Sequence, residues 1–293
     1  MLFLSWDFNS SLWRASLDGG GNEQPLLEEA GDLYRHMTPR FSPKGGRVTF
    51  CVRTNRGPRS LRLLVAGPEG QQARLLPVRG GGTSGWSPDG TRLAFDALVD
   101  DDWDIYTIPA HGGVPAAVTV QGSQDARPSW SADGRWIYFG SDRTGIMQIW
   151  KKPAAGGEAV QVTTRGGDEA LESPDGRYVY FVRRGSAGIW RIPVSGGEEE
   201  RVVADLDQEN LRNWTMNSSG IYFLDYEEEE RDGKPLLVVK RYGFGLERVE
   251  RVAGLGCVRA LNTGCTVSPD GRWLVYERRG RIDAQIRLIA HYR

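Results

Sequence analysis

One short turn recurs along this chain at nearly constant spacing. Ser-Pro-Xaa-Gly or a close variant begins at Ser42 (SPKG), Ser87 (SPDG), Ser131 (SADG), Ser173 (SPDG) and Ser268 (SPDG), with a degenerate copy at Asn217 (NSSG). Successive copies lie 45, 44, 42, 44 and 51 residues apart. In such a turn Pro presets φ for the second position, and Gly takes the left-handed position that closes a bulged hairpin. The pattern between turns is clearest at Arg127–Thr163. Pro128–Ser131 leads into the turn, Trp136–Gly140 is aromatic and β-branched, Gln148–Lys152 follows a loop, and Gly156-Gly157 precedes Ala159–Thr163. That is four short strands per unit, and a repeat of roughly 40–45 residues built this way is the signature of a propeller blade.

The two ends stand mid-unit. Leu2–Trp6 matches a second strand, Leu12–Leu17 a third and Gln24–Glu28 a fourth, whereas Trp273–Glu277 and Ala284–His291 follow the last turn as second and third strands. The expectation is an all-β protein, a single β-propeller domain over residues 1–293 with four-stranded antiparallel blades. Seven blades are expected, because two leftover apolar strands carrying Trp6 and Trp13 would expose a hydrophobic patch. The alternative is six, with Gln24–Glu28 completing the last blade and removing an open edge. A start inside a unit also reads as a portion of a longer parent chain.

Charge is balanced, with 37 basic against 38 acidic side chains. That offers no excess for phosphate backbones, so nucleic-acid binding by this portion is not expected. The start MLFLSWDF lacks the basic flank of a secretory signal, and no run has the length of a membrane span. Cys51, Cys257 and Cys265 form no CxxC pair and read as buried or half-buried strand thiols, a Cys257–Cys265 disulfide being the alternative if the protein is exported.

Antiparallel strands place both tight turns of every blade on one face of the disc. The longer and more varied connections fall on the other: Arg53–Ser60, Asp100–Asp104, Ser141–Met147 and Glu227–Pro235 within blades, and Asp32–Thr38, Gln121–Arg127, Arg165–Glu169 and Asp205–Asn213 between them. Binding residues concentrate on such loops when a rigid scaffold holds them. The partner-binding candidates are therefore Arg35, His36, Asp101, Trp103, Gln124, Arg127, Arg165, Asp168 and Arg212. Trp103 is the candidate aromatic anchor. The charged run Glu227–Pro235 reads as a solvated hairpin tip.

No GxSxG, HExxH, SxxK or GxxxxGK motif is present, and His36, His111 and His291 are scattered. The acids of Asp100–Asp104 could hold a hard cation such as Ca²⁺, but they lack the alternate spacing and turn glycine of a calcium loop. No metal or other cofactor is expected. Trp86, Trp130 and Phe41 before the turns, and Trp13, Trp150, Trp190 and Tyr106 on third strands, repeat once per unit, which points to packing between sheets.

The units TPRFSPKGGRVTF, SGWSPDGTRLAF, RPSWSADGRWIYF and CTVSPDGRWLVY resemble the WD-like repeat of TolB-type propellers, shared more distantly with tricorn and dipeptidyl peptidase propellers. QIWKKPAAGGEAVQVT and GIWRIPVSGGEEERVV resemble, more narrowly, the C-terminal propeller of bacterial winged-helix/TolB-type regulators. The resemblance covers nearly the whole chain. It implies a bacterial protein of the cytoplasm or periplasm and brings no catalytic residues. The expected function is a non-enzymatic scaffold or sensor domain, monomeric, that binds a protein or peptide partner on the loop face around the central channel. The alternative is an accessory propeller that gates substrate for a peptidase or hydrolase domain outside this chain. A third reading is a hydrolase or lyase using channel carboxylates.

Overall fold

The five predicted turns that begin with Ser close hairpins with a left-handed Gly, while at Asn217 the two strands pair directly, Asn217 opposite Gly220. Gly90 sits at φ 72° and its N–H donates to the Ser87 carbonyl (2.8 Å). The Ser87 hydroxyl accepts the Arg92 N–H and donates to Asp89, which also accepts the Thr91 N–H. The same contacts recur at Ser131, Ser173 and Ser268. They hold the turn carboxyls low, at about 2 for Asp89 and Asp175, where the serine hydroxyl acts most, and for Asp133, where the Arg135 N–H does.

A computed structural model describes residues 2–5, 8–18, 22–27, 34–54, 60–120, 122–204, 206–207, 211–228, 235–256, 260–282 and 285–288. The chain opens with β1 (Leu2–Ser5), β2 (Phe8–Ser16) and β3 (Glu23–Pro25). Blade 1 is β4 (Tyr34–Phe41), β5 (Val48–Thr54), β6 (Leu61–Ala66) and β7 (Arg74–Leu75). Blade 2 is β8 (Gly81–Trp86), β9 (Arg92–Val99), β10 (Asp102–Pro109) and β11 (Ala116–Ala117). Blade 3 is β12 (Asp125–Trp130), β13 (Trp136–Ser141), β14 (Gln148–Pro153) and β15 (Val160–Gln161). Blade 4 is β16 (Glu169–Glu172), β17 (Tyr178–Arg183), β18 (Ser186–Pro193) and β19 (Glu200–Val203). Blade 5 is β20 (Trp214–Asn217), β21 (Gly220–Glu228), β22 (Pro235–Gly243) and β23 (Arg248–Gly254). Then come β24 (Ala260–Val267), β25 (Trp273–Ile282) and β26 (Gln285–Leu288).

The ring has six blades, which corrects the expectation of seven. The N-terminal strands build no sheet of their own. β2 lies along β25 from Phe8↔Ile282 to Ser16↔Trp273, and β3 pairs with β2, so blade 6 reads β24-β25-β2-β3. The place that Ala284–His291 was expected to fill is taken by β2. β26 pairs instead with β1, Leu2↔Leu288 to Ser5↔Gln285, at the same antiparallel offset that joins Phe8 to Ile282. The physical reason is that β25 already has an inner neighbour in β24 and offers its other edge to the apolar third-strand pattern of Leu12–Leu17. The six-blade alternative also needed revision, because β2 is part of the closure along with the fourth strand.

First strands face the centre and pack on one another: β4 on β8, β8 on β12, β12 on β16, β20 on β24 and β24 on β4. The hydrophobic core is divided among the blade interfaces. Leu63, Val65, Phe95 and Ile108 fill the space between blades 1 and 2, and Tyr180, Val182, Trp214 and Phe223 that between blades 4 and 5. Leu12, Leu26 and Val275 meet Val48 and Phe50 between blades 6 and 1. The repeated aromatics take part in this packing, as Trp86 and Trp130 do. Cys51 and Cys265 are buried free thiols, both pushed up to about 12 by burial, while Cys257 lies outside the described residues. Among the described residues no helix is long and apolar enough to cross a membrane.

Candidate functional site

Four of the first strands carry an irregularity part-way along, at Met37/Arg40, Gly81/Ser84, Ala126/Ser129 and Ala260/Cys265. A bulge bends a strand and re-aims its side chains. At this level Thr38 (φ 53°) and Arg127 (φ 56°) adopt the left-handed conformation, unusual for residues with a Cβ and retained only where surrounding contacts over-determine it.

For Arg127 those contacts are visible. Its N–H donates to Asp96 Oδ2 (2.8 Å), and its guanidinium pairs with Asp168 (2.7 Å). Asp96 takes the Thr83 N–H on Oδ1 (2.7 Å), so one carboxylate joins the inner strands of blades 2 and 3. Gly82 leaves room for it, since a Cβ there would collide with Asp96 Oδ1. Burial pushes the Asp96 carboxyl up to about 6, against the two N–H groups and the charges of Arg127 and Arg212. Asp168 is 2% exposed and also accepts Arg184 Nε (3.0 Å). Arg40 pairs with Glu169 and donates to the Pro39 and Cys265 carbonyls. In blade 6 the buried Glu277 accepts the Ser10 and Thr263 hydroxyls.

Among the described residues, two cavities of about 460 Å³ each lie at the centre of the disc, with Arg127 lining both. One opens among the tight turns, around Arg40, Glu169, Leu171, Thr215 and Thr266. The other opens on the loop face. It draws Thr38 from blade 1, Asp96 and Trp103 from blade 2, Gln124, Arg127 and Met147 from blade 3 or its approach, Arg184 from blade 4, Arg212 from the approach to blade 5, and Thr263 from blade 6.

The structure brings together Trp103, Gln124, Arg127 and Arg212 at this loop-face cavity, with Asp168 beside it through its pair with Arg127. Gln124 bridges blades, its N–H to Asp142 (2.8 Å) and its Nε2 to Asp102 (3.2 Å). Asp101 is away from it, exposed at the tip of the β9–β10 hairpin with φ 73°. Arg165 is exposed in the connection before β16, where its carbonyl accepts from Arg183. Arg35 and His36 lie on β4 opposite Arg53 and Val52; their side chains are outside the described residues.

The acidic run is dispersed by its hairpin. Asp100 and Asp101 form the left-handed turn, Asp102 accepts from Gln124, and the buried Asp104 accepts the Thr119 hydroxyl. Blade 3 repeats the last contact with Gln148 and Thr163. Among the described residues no three His, Cys, Asp or Glu side chains gather in a metal-binding arrangement. In the charged connection of blade 5, Glu227 pairs with Lys240 and Arg251, and residues 229–234 lie outside the described ones.

Sequence reasoning missed Asp96 and Arg184. Asp96 interrupts the apolar run Leu93–Val99 nine residues after its turn serine, and Glu277 does so at the equivalent place after Ser268. A lone acid at one repeat position, twice, was a readable signal. Arg184 follows directly on β17, at a hairpin too short to count among the varied loops.

Comparison with solved structures places the fold. A putative TolB from Agrobacterium tumefaciens is similar at TM-score 0.69 and 20% identity, over 94% of this chain and 99% of that one. TolB from Acinetobacter baumannii is similar at TM-score 0.61 and 16% identity, over 95% of this chain and 65% of that one. A puromycin hydrolase structure shares TM-score 0.56 and 17% identity over 87% of this chain and 44% of that one. At such identities the likeness concerns fold alone. No curated protein matches the sequence. The TolB beta propeller domain family matches residues 10–184. The chain belongs to the TolB-like β-propeller family.

Proposed function

We propose that this propeller is a non-enzymatic scaffold or sensor domain that binds a protein or peptide partner on its loop face, over the mouth of the channel. The observation that supports this most is that every blade, directly or through the segment leading into it, contributes to one loop-face cavity. A partner seated there would touch the whole ring and be held by a scaffold whose parts cannot shift independently. Half-buried Trp103 lies at its wall, the kind of aromatic that anchors interfaces. Val99 at the end of β9, Val120 on the connection from blade 2 to blade 3 and Ile146 on a connection of blade 3 are exposed.

A gating role for an absent catalytic domain has less support. Arg127 lies at the boundary of the two cavities, tied to Asp168 and Asp96, and Arg40–Glu169 lines the other side. A substrate passing through the disc would have to break these pairs.

The test is site-directed photocrosslinking in cells that express the protein. A photoreactive amino acid at position 103 should give a discrete crosslinked partner, and one at position 114 on the tight-turn face should not. Crosslinks from 114 alone, or from neither, contradict the proposal.

A further inference from the structure

The loop-face cavity combines an apolar wall with a charge-balanced one. Met37, Trp103 and Met147, each half-buried, line it from blades 1, 2 and 3, with the buried Leu61 among them. The charges are matched within the protein. Arg127 and Arg184 both pair with Asp168, and Asp96 and Asp142 stand with Asp168 against the three guanidiniums of Arg127, Arg184 and Arg212. A charged group entering this set would give up its water without gaining a free counter-charge, whereas an apolar side chain would cover apolar surface. Methionine adapts its shape to such a side chain, and tryptophan is a common anchor.

Thr38, next to Met37 on β4, adds an unused hydrogen-bonding group at the same cavity. Its Oγ1 is shielded from solvent and has no hydrogen-bond partner among the described residues. A shielded hydroxyl left unpaired is a cost to folding. The backbone adds a second cost, because φ is 53° and a β-branched residue in that region is an outlier. Blade 6 has Gly264 at the equivalent place, four residues before its turn serine, with φ 120°. Glycine in blade 1 would supply a left-handed backbone without either cost. Strain of this kind persists at sites that a ligand uses.

Resting on the loop-face reading above, we infer that the cavity receives an uncharged apolar side chain of the partner against Met37, Trp103 and Met147, and that the Thr38 hydroxyl hydrogen-bonds the main chain carrying it. Rotation of χ1 to another staggered position turns the hydroxyl toward the cavity that Thr38 lines. The main chain of a bound segment offers the N–H or C=O that this hydroxyl lacks. Thr38 is then a specificity-determining residue, and its strain is the cost of placing a hydroxyl where the fold itself asks only for a bend.

The full chain, carrying carbon-13 in its methionine methyl groups, is titrated by NMR with capped peptides Gly-Ser-Xaa-Ser-Gly in which Xaa is Leu, Glu or Lys. Met37 and Met147 report on this cavity, and Met216 reports on the cavity among the tight turns. The leucine peptide should shift Met37 and Met147, leave Met216 in place and bind at least about tenfold more tightly than the other two. Thr38→Val keeps the shape and removes the hydroxyl; it should weaken that binding about three- to tenfold without lowering the melting temperature. Thr38→Ser, which keeps the hydroxyl, should bind as the intact chain does. Equal binding of the glutamate or lysine peptide, a shift confined to Met216, or no response to any peptide overturns the apolar occupant. Unchanged affinity in Thr38→Val, or a lowered melting temperature, overturns the role of the hydroxyl. Crosslinking from position 103 with no peptide response leaves the loop-face reading standing and overturns this inference; a response at Met37 and Met147 with no crosslink overturns that reading and leaves the cavity assignment.

Discussion

Trp13 and Tyr276 lie opposite one another on adjacent strands, joining the first segment of the chain to the last. Within unbroken stretches of chain, Trp190 and Phe181, and Trp150 and Phe139, stand in the same relation. The surroundings match as well. Arg278 stacks on Trp13 (4.3 Å) as Arg183 does on Trp190 (3.9 Å), and Arg14 on Trp273 (3.5 Å) as Arg191 does on Tyr178 (4.6 Å). Blade 6 thus has the register and the cation–π contacts of an ordinary blade, with covalent continuity replaced by packing.

That closure carries a stability consequence. Leu12 is fully buried between blades 6 and 1, so Leu12→Ala should cost about 2–5 kcal/mol, as truncations in close-packed cores do. Deleting residues 1–27 removes β1, β2 and β3, leaves the outer edge of β25 unpaired and should give aggregation or a large fall in melting temperature. Chemical denaturation checks the first, and light scattering with thermal melting the second. A truncated monomer of full stability would mean that the ring closes without these strands.

The tight turns should matter for stability and leave binding alone. Ser131 is 1% exposed, and its hydroxyl both donates to Asp133 and accepts the Trp136 N–H. Ser131→Ala strands that N–H and should cost about 1–2 kcal/mol in a urea titration. The turn aspartates add an acid limit. Their folded values, near 2 for Asp89, Asp133 and Asp175, lie below the ordinary carboxylate value, so their contribution is present above pH about 4 and is lost as pH falls toward 2. An Asp133→Asn variant should therefore flatten the acid limb of stability against pH; an unchanged limb would show that the hydrogen bonds seen here do not select the ionised form.

Asp96 has the opposite sign. Burial raises its carboxyl to about 6, so the folded state binds its proton more tightly than the unfolded chain. Its contribution is fully present below pH about 4 and is lost as pH rises through about 6. A carboxyl raised from its ordinary value to about 6 corresponds to at most about 3 kcal/mol. Carboxyl carbon NMR of the folded protein should show this residue titrating near 6, and an ordinary midpoint near 4 would show that water reaches it.

Strand register and the division into two faces are both legible in the sequence. The turn serines set the register, because the residue eight positions on is Phe50, Phe95, Phe139, Phe181 or Tyr276, each fully or almost fully buried. Alternating strand direction separates the two faces, and Trp103, Gln124, Arg127 and Arg212 come from loops assigned that way. The closure is not legible. Leu12–Leu17 carries a third-strand pattern that fits any second-strand edge, and local patterning cannot distinguish Leu2–Trp6 from Trp273–Glu277 as its neighbour. The left-handed backbone of Arg127 is not legible either, since it depends on Asp96 from another blade and on the missing Cβ of Gly82.

The claim that partner recognition belongs to the loop face is tested most directly by affinity, once crosslinking and mass spectrometry have identified the partner. Its dissociation constant should be measured for the intact propeller, for Trp103→Ala at the loop-face cavity and for Val114→Ser on the opposite face. The account predicts at least a tenfold loss for Trp103→Ala and no change for Val114→Ser, with all three proteins melting alike. Loss of affinity in Val114→Ser, with Trp103→Ala binding as the intact protein does, would place recognition on the other face and contradict it.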